Sequence, residues 1–215
     1  MSDLRTEEEQ VELIKKWWAD NGKSTIAIIV LTLAGILGWQ WWQQQEQAKA
    51  EAASSSYEQL IELMNQPELN DEQRATATHL ASELKKNYEG SLYAEYAGLF
   101  EAKLLFQKGE LDQALSVLKS VQTTATHPSV KEAAGLRQAQ LLWQQDKTAE
   151  ALSFAKTIKA QAFSGELEEL KGDLLVESGD KDAAKEAYLK ARTIFSNKGV
   201  SRPVLEMKLA DLGGA

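Results

Sequence analysis

Along the chain, apolar and polar positions alternate in several distinct ways. Residues 24–42 read STIAIIVLTLAGILGWQWW, an apolar run with no charged side chain. Before it, Val11, Ile14, Trp17 and Trp18 recur at helical spacing among Glu, Gln and Lys. Thr6 ahead of Glu7, Glu8 and Glu9 predicts a helix start there, and Asn21-Gly22 predicts its stop. As a helix, Thr25 to Trp42 rises about 27 Å, close to the thickness of a bilayer core. The stretch that follows is rich in Gln and Ala and reads as a helical stalk or linker, with Ser54-Ser55-Ser56 as its expected break. Tyr57, Leu60, Ile61 and Met64 then give the first apolar face of a soluble domain. Asn65 to Asn70, with Pro67, reads as a loop. A second helix is expected from Asp71 to about Asn87, with Leu80 and Leu84 facing inward.

From there the pattern repeats. Gly109-Glu110-Leu111-Asp112-Gln113-Ala114 returns as Asp146-Lys147-Thr148-Ala149-Glu150-Ala151, and again as Gly179-Asp180-Lys181-Asp182-Ala183-Ala184. The intervals are 37 and 33 residues, on either side of the 34-residue tetratricopeptide period. About two helical turns before each turn sit Ala102, Ala139 and Gly172, small residues where paired helices approach closely. Leu105, Leu142 and Leu175 follow them. In the second helices Leu118, Ala155 and Tyr188 face back, then Val121, Ile158 and Ala191. One hairpin cannot bury its stripe alone, whereas stacked hairpins can. Ser201, Pro203, Val204, Leu205, Leu209 and Leu212 predict a closing helix, ended by Gly213-Gly214. The expected class is all-α, a single transmembrane helix followed by a tetratricopeptide-repeat-like array of helical hairpins. Its parts would be residues 1–23, 24–42, 43–56 and 57–215.

Composition narrows this. Ala, Leu, Glu, Lys and Gln dominate, all strong helix formers. The absence of Cys removes disulfides, thiolate metal sites and thiol catalysis. A net charge of −8 argues against a nucleic-acid surface. The apolar run fits an uncleaved anchor. A cleaved signal peptide is the rival, with small-x-small sites at Ala48-Lys49-Ala50 and Ala50-Glu51-Ala52. Against it stand the closing tryptophans and the long acid-rich flank. Arg5, Lys15, Lys16 and Lys23 precede the span, and Lys49 alone follows closely, so the amino terminus should face the cytoplasm. The amphipathic segment before the span reads either as an interfacial helix or as a docking helix for a cytoplasmic partner.

No phosphate-binding glycine loop, dinucleotide fingerprint, zinc-protease helix or serine-hydrolase elbow occurs. His79 and His127 stand apart, and Glu166, Glu168 and Glu169 read as a solvated helix face. The expectation is a binding protein with no catalytic, cofactor or metal site. In such arrays the first helix of each hairpin lines the binding face. The candidate partner-binding residues are Tyr96, Leu99, Lys103 and Phe106 with Gln107, then Gln140 and Trp143 with Leu136 and Gln144, then Asp173 and Glu177 with Glu166, Glu169 and Val176. This groove would grade from aromatic to acidic and suit extended, apolar-containing peptides. Phe106 and Trp143 have a second reading, as plugs between hairpins.

The order of parts resembles the bacterial YfgM family, ancillary subunits of the SecYEG translocon. The likeness rests on the Trp-containing segment Val11 to Gly22, the span ending GWQWW and the repeat domain. It also rests on Ala19-Asp20-Asn21-Gly22-Lys23, Lys108-Gly109-Glu110-Leu111, Lys171-Gly172-Asp173-Leu174-Leu175 and the closing MKLADL at Met207 to Leu212. The resemblance implies an inner-membrane protein with a periplasmic domain. It implies partnership with the translocon and with a PpiD-like periplasmic chaperone, and a role in handling newly exported chains. It also implies an alternative, restraint of a cytoplasmic stress-response regulator through the N-terminal segment.

Overall fold

The computed structural model describes residues 7–213. The described residues form nine α-helices and no strand. These are α1 (Glu7–Met64), α2 (Asp71–Asn87), α3 (Leu92–Gln107), α4 (Leu111–Thr124), α5 (Pro128–Gln144), α6 (Thr148–Thr157), α7 (Ser164–Glu177), α8 (Lys181–Asn197) and α9 (Pro203–Asp211). The chain divides into two units, Met1–Ala52 and Ala53–Ala215. The expected cap at Thr6 and the closing Gly214 lie outside the described residues.

In the first unit α1 is long and apolar enough to cross a membrane. Its apolar side chains point outward, with Leu31 72% and Trp41 67% exposed, so this stretch is not the buried core of a soluble fold. Neither expected break occurs. Asn21-Gly22 stays helical because its polar groups are met locally. Asn21 Nδ2 donates to the Trp17 carbonyl at 3.1 Å, and Thr25 Oγ1 donates to the Asn21 carbonyl at 3.0 Å. The Trp18 ring covers Gly22, where an added Cβ would meet it at 3.3 Å. A glycine costs a helix only about 1 kcal/mol, too little to end one with strong neighbours. Ser54-Ser55-Ser56 is helical as well, with Ser54 Oγ donating to Glu58.

The second unit is a row of hairpins. The last turns of α1 share a core with α2 and α3 through Ala53, Leu60, Met64, Leu80, Leu84 and Leu104, ahead of the three hairpins that the turns reveal. Then come α3–α4, α5–α6 and α7–α8, and α9 closes on α8. The loop before α2 works as a capping box: Asn70 accepts from the Gln73 N–H, and the Gln73 side chain accepts from the Asn70 N–H.

The repeated turns share one geometry. Gly109, Asp146 and Gly179 adopt φ of 79°, 59° and 84°. The next residue in each case donates back to Leu105, Leu142 or Leu175 at 2.9–3.1 Å. This is a left-handed helix ending that satisfies otherwise orphaned carbonyls, and it explains why glycine or aspartate recurs there. Small residues then let the paired helices close up. Ala102, Ala139, Ala151 and Ala155 are buried, and Gly172 lies against Tyr188. Ala151→Leu should therefore overpack the α5–α6 pair and cost about 1–3 kcal/mol, while Gln113→Leu on exposed α4 surface should be close to silent. Thermal melts of the two variants check this. Equal melting temperatures would refute the register.

A cavity on the first-helix face

The first helices α3, α5 and α7 touch one another along the array, α3 with α5 and α5 with α7. The turn register puts Phe106, Trp143 and Val176 at equivalent places near their ends. Between α3, α4 and α5 lies a cavity of about 200 Å³. Phe106, Leu118 and Leu141 wall it, and Lys103, Arg137, Gln140 and Gln144 stand around it. Phe106 is 39% exposed, so its ring is available on this face.

The structure thus gathers Lys103, Phe106, Gln140 and Gln144 from the candidates and adds Arg137. The others lie elsewhere. Leu99 is 5% exposed inside the α3–α4 core, which removes it from any open groove. Leu136 is also buried, among α5–α7 side chains. Tyr96 packs half-buried on the first core, its ring centroid 5.9 Å from that of Tyr57. Lys103 Nζ donates to the Met64 carbonyl at 3.1 Å and caps the end of α1.

Trp143 shares the register of Phe106 but not its freedom. Its indole N–H donates to Glu177, and Thr148 Oγ1 donates to the same carboxylate at 2.7 Å. These two bonds hold the exposed Glu177 carboxyl below the ordinary range. Trp143 is half-buried and ties α5 to α7, so the two rings do not share one cavity. Phenylalanine has no N–H to anchor, and that difference separates them.

The expected acidic end is not open either. Glu169 accepts from Arg202 at 2.5 Å and from Lys208 at 3.1 Å. Asp173 accepts from Lys208 Nζ at 2.9 Å and from the Tyr188 hydroxyl at 2.7 Å. The chain's own terminal segment neutralises this patch. The reading of Glu169 as solvated surface is corrected accordingly, because its side chain is only 8% exposed.

One repeated device escaped the sequence reading. Glu95 and Glu132 stand 37 residues apart, the interval of the first two turns. Glu95 accepts from the Thr126 N–H at 2.5 Å, the Thr126 hydroxyl at 2.7 Å and the His127 N–H at 3.3 Å. Glu132 accepts from the Ala162 and Phe163 N–H groups at 2.8 and 3.2 Å. Each glutamate fastens the loop that opens the next hairpin. The signal lay in the shared interval.

Burial pushes the Glu95 carboxyl up, but the Thr126 and His127 bonds outweigh it and hold the group below its ordinary value of 4.5. Burial likewise raises Glu169, and Arg202 and Lys208 more than reverse it. A depressed folded value means the stabilisation is full above 4.5 and is lost as pH falls through the folded values. Urea midpoints should therefore hold from pH 7 to 5 and drop toward pH 3. The drop should be shallower in Glu95→Gln. An identical slope in that variant would refute the Glu95 contribution.

A row of helical hairpins whose first helices touch along the array, on a chain that also carries a helix long and apolar enough to cross a membrane, is an architecture of the tetratricopeptide-repeat-like class. Residues 15–214 match the tetratricopeptide repeat-like domain family. Similar proteins include the ancillary SecYEG translocon subunit of Haemophilus influenzae, 30% identical over 206 residues, covering 96% of this chain and 97% of that one. The protein of the same name from Aggregatibacter actinomycetemcomitans is 29% identical, covering 96% and 97%. That from Escherichia coli is 27% identical, covering 87% and 88%. The chain belongs to this family of ancillary SecYEG translocon subunits, the YfgM family.

Proposed function

We propose that the protein is a single-pass inner-membrane accessory of a SecYEG-type translocon, with its N-terminal segment cytoplasmic and residues 43–215 periplasmic. Its array engages a partner, a PpiD-like periplasmic chaperone or the exported chains themselves, and so aids newly exported proteins. It acts by binding and not by catalysis. The end-to-end likeness to translocon subunits carries this reading. The membrane-length α1 and the Lys/Arg asymmetry around its apolar run support the anchor and its direction.

Two measurements test it. Protease added to spheroplasts should digest residues 43–215 and spare an anchor-sized fragment. Translocon subunits should co-purify with the full chain from solubilised membranes. A soluble mature species beginning near Ala50 or Glu51, or a chain that recovers no translocon, would overturn the proposal.

A second reading rests on the exposed row Val11, Ile14, Trp17 and Trp18 in the segment assigned to the cytoplasm. There the protein restrains a cytoplasmic response regulator through that row. Deleting residues 2–20 separates the two: translocon co-purification should survive, whereas any regulator restraint should vanish.

A further inference from the structure

We infer that the cavity between α3, α4 and α5 is a socket for one apolar side chain of an extended peptide, with Arg137 receiving a carboxylate carried on the same segment. This rests on the binding role proposed above and adds the chemistry of the occupant.

Size comes first. The cavity holds about 200 Å³. An engineered void of about 150 Å³ accepts benzene, while sites for drug-sized ligands start near 300 Å³. One ring or one branched aliphatic side chain fits. Phe106, Leu118 and Leu141 supply an apolar wall for it.

Charge comes second. No acidic side chain lines the cavity. Lys103 is engaged by the Met64 carbonyl. Arg137 makes no hydrogen bond or ion pair with the described residues. Its side chain is exposed at the cavity, where a bound segment can reach it. The chain carries 32 Asp and Glu against 24 Lys and Arg, so a cation that pairs with none of the described ones stands out. A guanidinium matches a carboxylate with two parallel hydrogen bonds. The Gln140 amide beside it offers both a donor and an acceptor, which suits a peptide backbone.

The test uses the full chain in nanodiscs and fluorescent ten-residue peptides of Gly and Ser. One carries a central Phe-Asp pair, the others Phe-Asn or Ala-Asp. Anisotropy titrations should show the Phe-Asp peptide binding about tenfold more tightly than either control, the scale of one charge-assisted contact. Arg137→Gln should erase the preference for Asp over Asn, and Arg137→Lys should restore part of it. Phe106→Ala should erase the preference for Phe over Ala. Equal binding of the three peptides, or no binding of any, overturns the inference. So does an Arg137→Gln chain that still prefers Asp. A peptide-free chain whose light-scattering mass falls by half in Arg137→Gln would place a second copy in the cavity, and that also overturns it. Translocon co-purification is read on the same preparations. Its presence alongside flat titrations sinks the socket alone. Its absence alongside Phe-Asp selectivity sinks the accessory role alone.

Discussion

Removing residues 203–215 should destabilise the end of the array by about 3–6 kcal/mol. Leu205 and Leu209 are almost completely buried against Tyr188, Ala191 and Phe195, and full burial of each leucine contributes about 1.5–3 kcal/mol. The truncation also removes Lys208, whose ammonium lies between Glu169 and Asp173. Arg202 stays and still meets Glu169, while Asp173 keeps only the Tyr188 hydroxyl. In repeat arrays each unit leans on its neighbours, so the loss should be local. Hydrogen exchange should accelerate in α7 and α8 first and leave α3 and α4 near their starting protection. Urea unfolding of the full and truncated chains, in the same detergent, reads the energy. An unchanged midpoint would mean that α9 is an appendage and not the cap of the stack.

That cap bears on function as well as stability. Sequence spacing alone made the third hairpin an acidic stretch of open groove. Lys208 and Arg202 come from 29 or more residues further along the chain than Asp173 and Glu169, too far for helical periodicity to connect them. Once α9 is in place, the acidic face is an internal ion cluster, and the accessible part of the first-helix face contracts toward Phe106 and Arg137. Local rules described α2 and the repeated turns well, because capping and left-handed glycines are settled within a few residues. They failed at Asn21-Gly22 and at Ser54 to Ser56, where strong helix formers on both sides outweigh a weak break. They failed at Leu99, and could not choose between the groove and plug readings of Trp143, for a different reason. Rotation by about 100° per residue gives a direction around one helix, but not what the neighbouring helix offers there. For Leu99 the neighbour is the α4 core. For Trp143 it is a carboxylate on α7.

Gly172→Ala should destabilise the protein although alanine is the better helix former. An added Cβ would lie 3.0 Å from Cζ of Tyr188 and closer still to Cε1 and Cδ1. The ring has little room to yield. It is buried, its hydroxyl donates to Asp173 at 2.7 Å, and Lys208 lies 5.8 Å from its centroid. Overpacking of this kind costs about 1–3 kcal/mol, set against a helix-propensity gain of about 1 kcal/mol. The net sign turns on the ring, and that makes the prediction specific. In a Tyr188→Leu background the obstruction is gone, so the same Gly172→Ala change should be neutral or stabilising. The two substitutions should show a coupling of about 1 kcal/mol or more in a double-mutant cycle of urea midpoints. Repeat position alone would not require this, because the matching sites in the earlier hairpins are Ala102 and Ala139, which face Leu118 and Ala155. The third hairpin has traded a side chain on α7 for a larger one on α8, and Tyr188 uses that space to bring its hydroxyl to Asp173. If Gly172→Ala stabilises the unaltered chain, then the ring moves freely, and the α7–α8 pairing is looser than its geometry indicates.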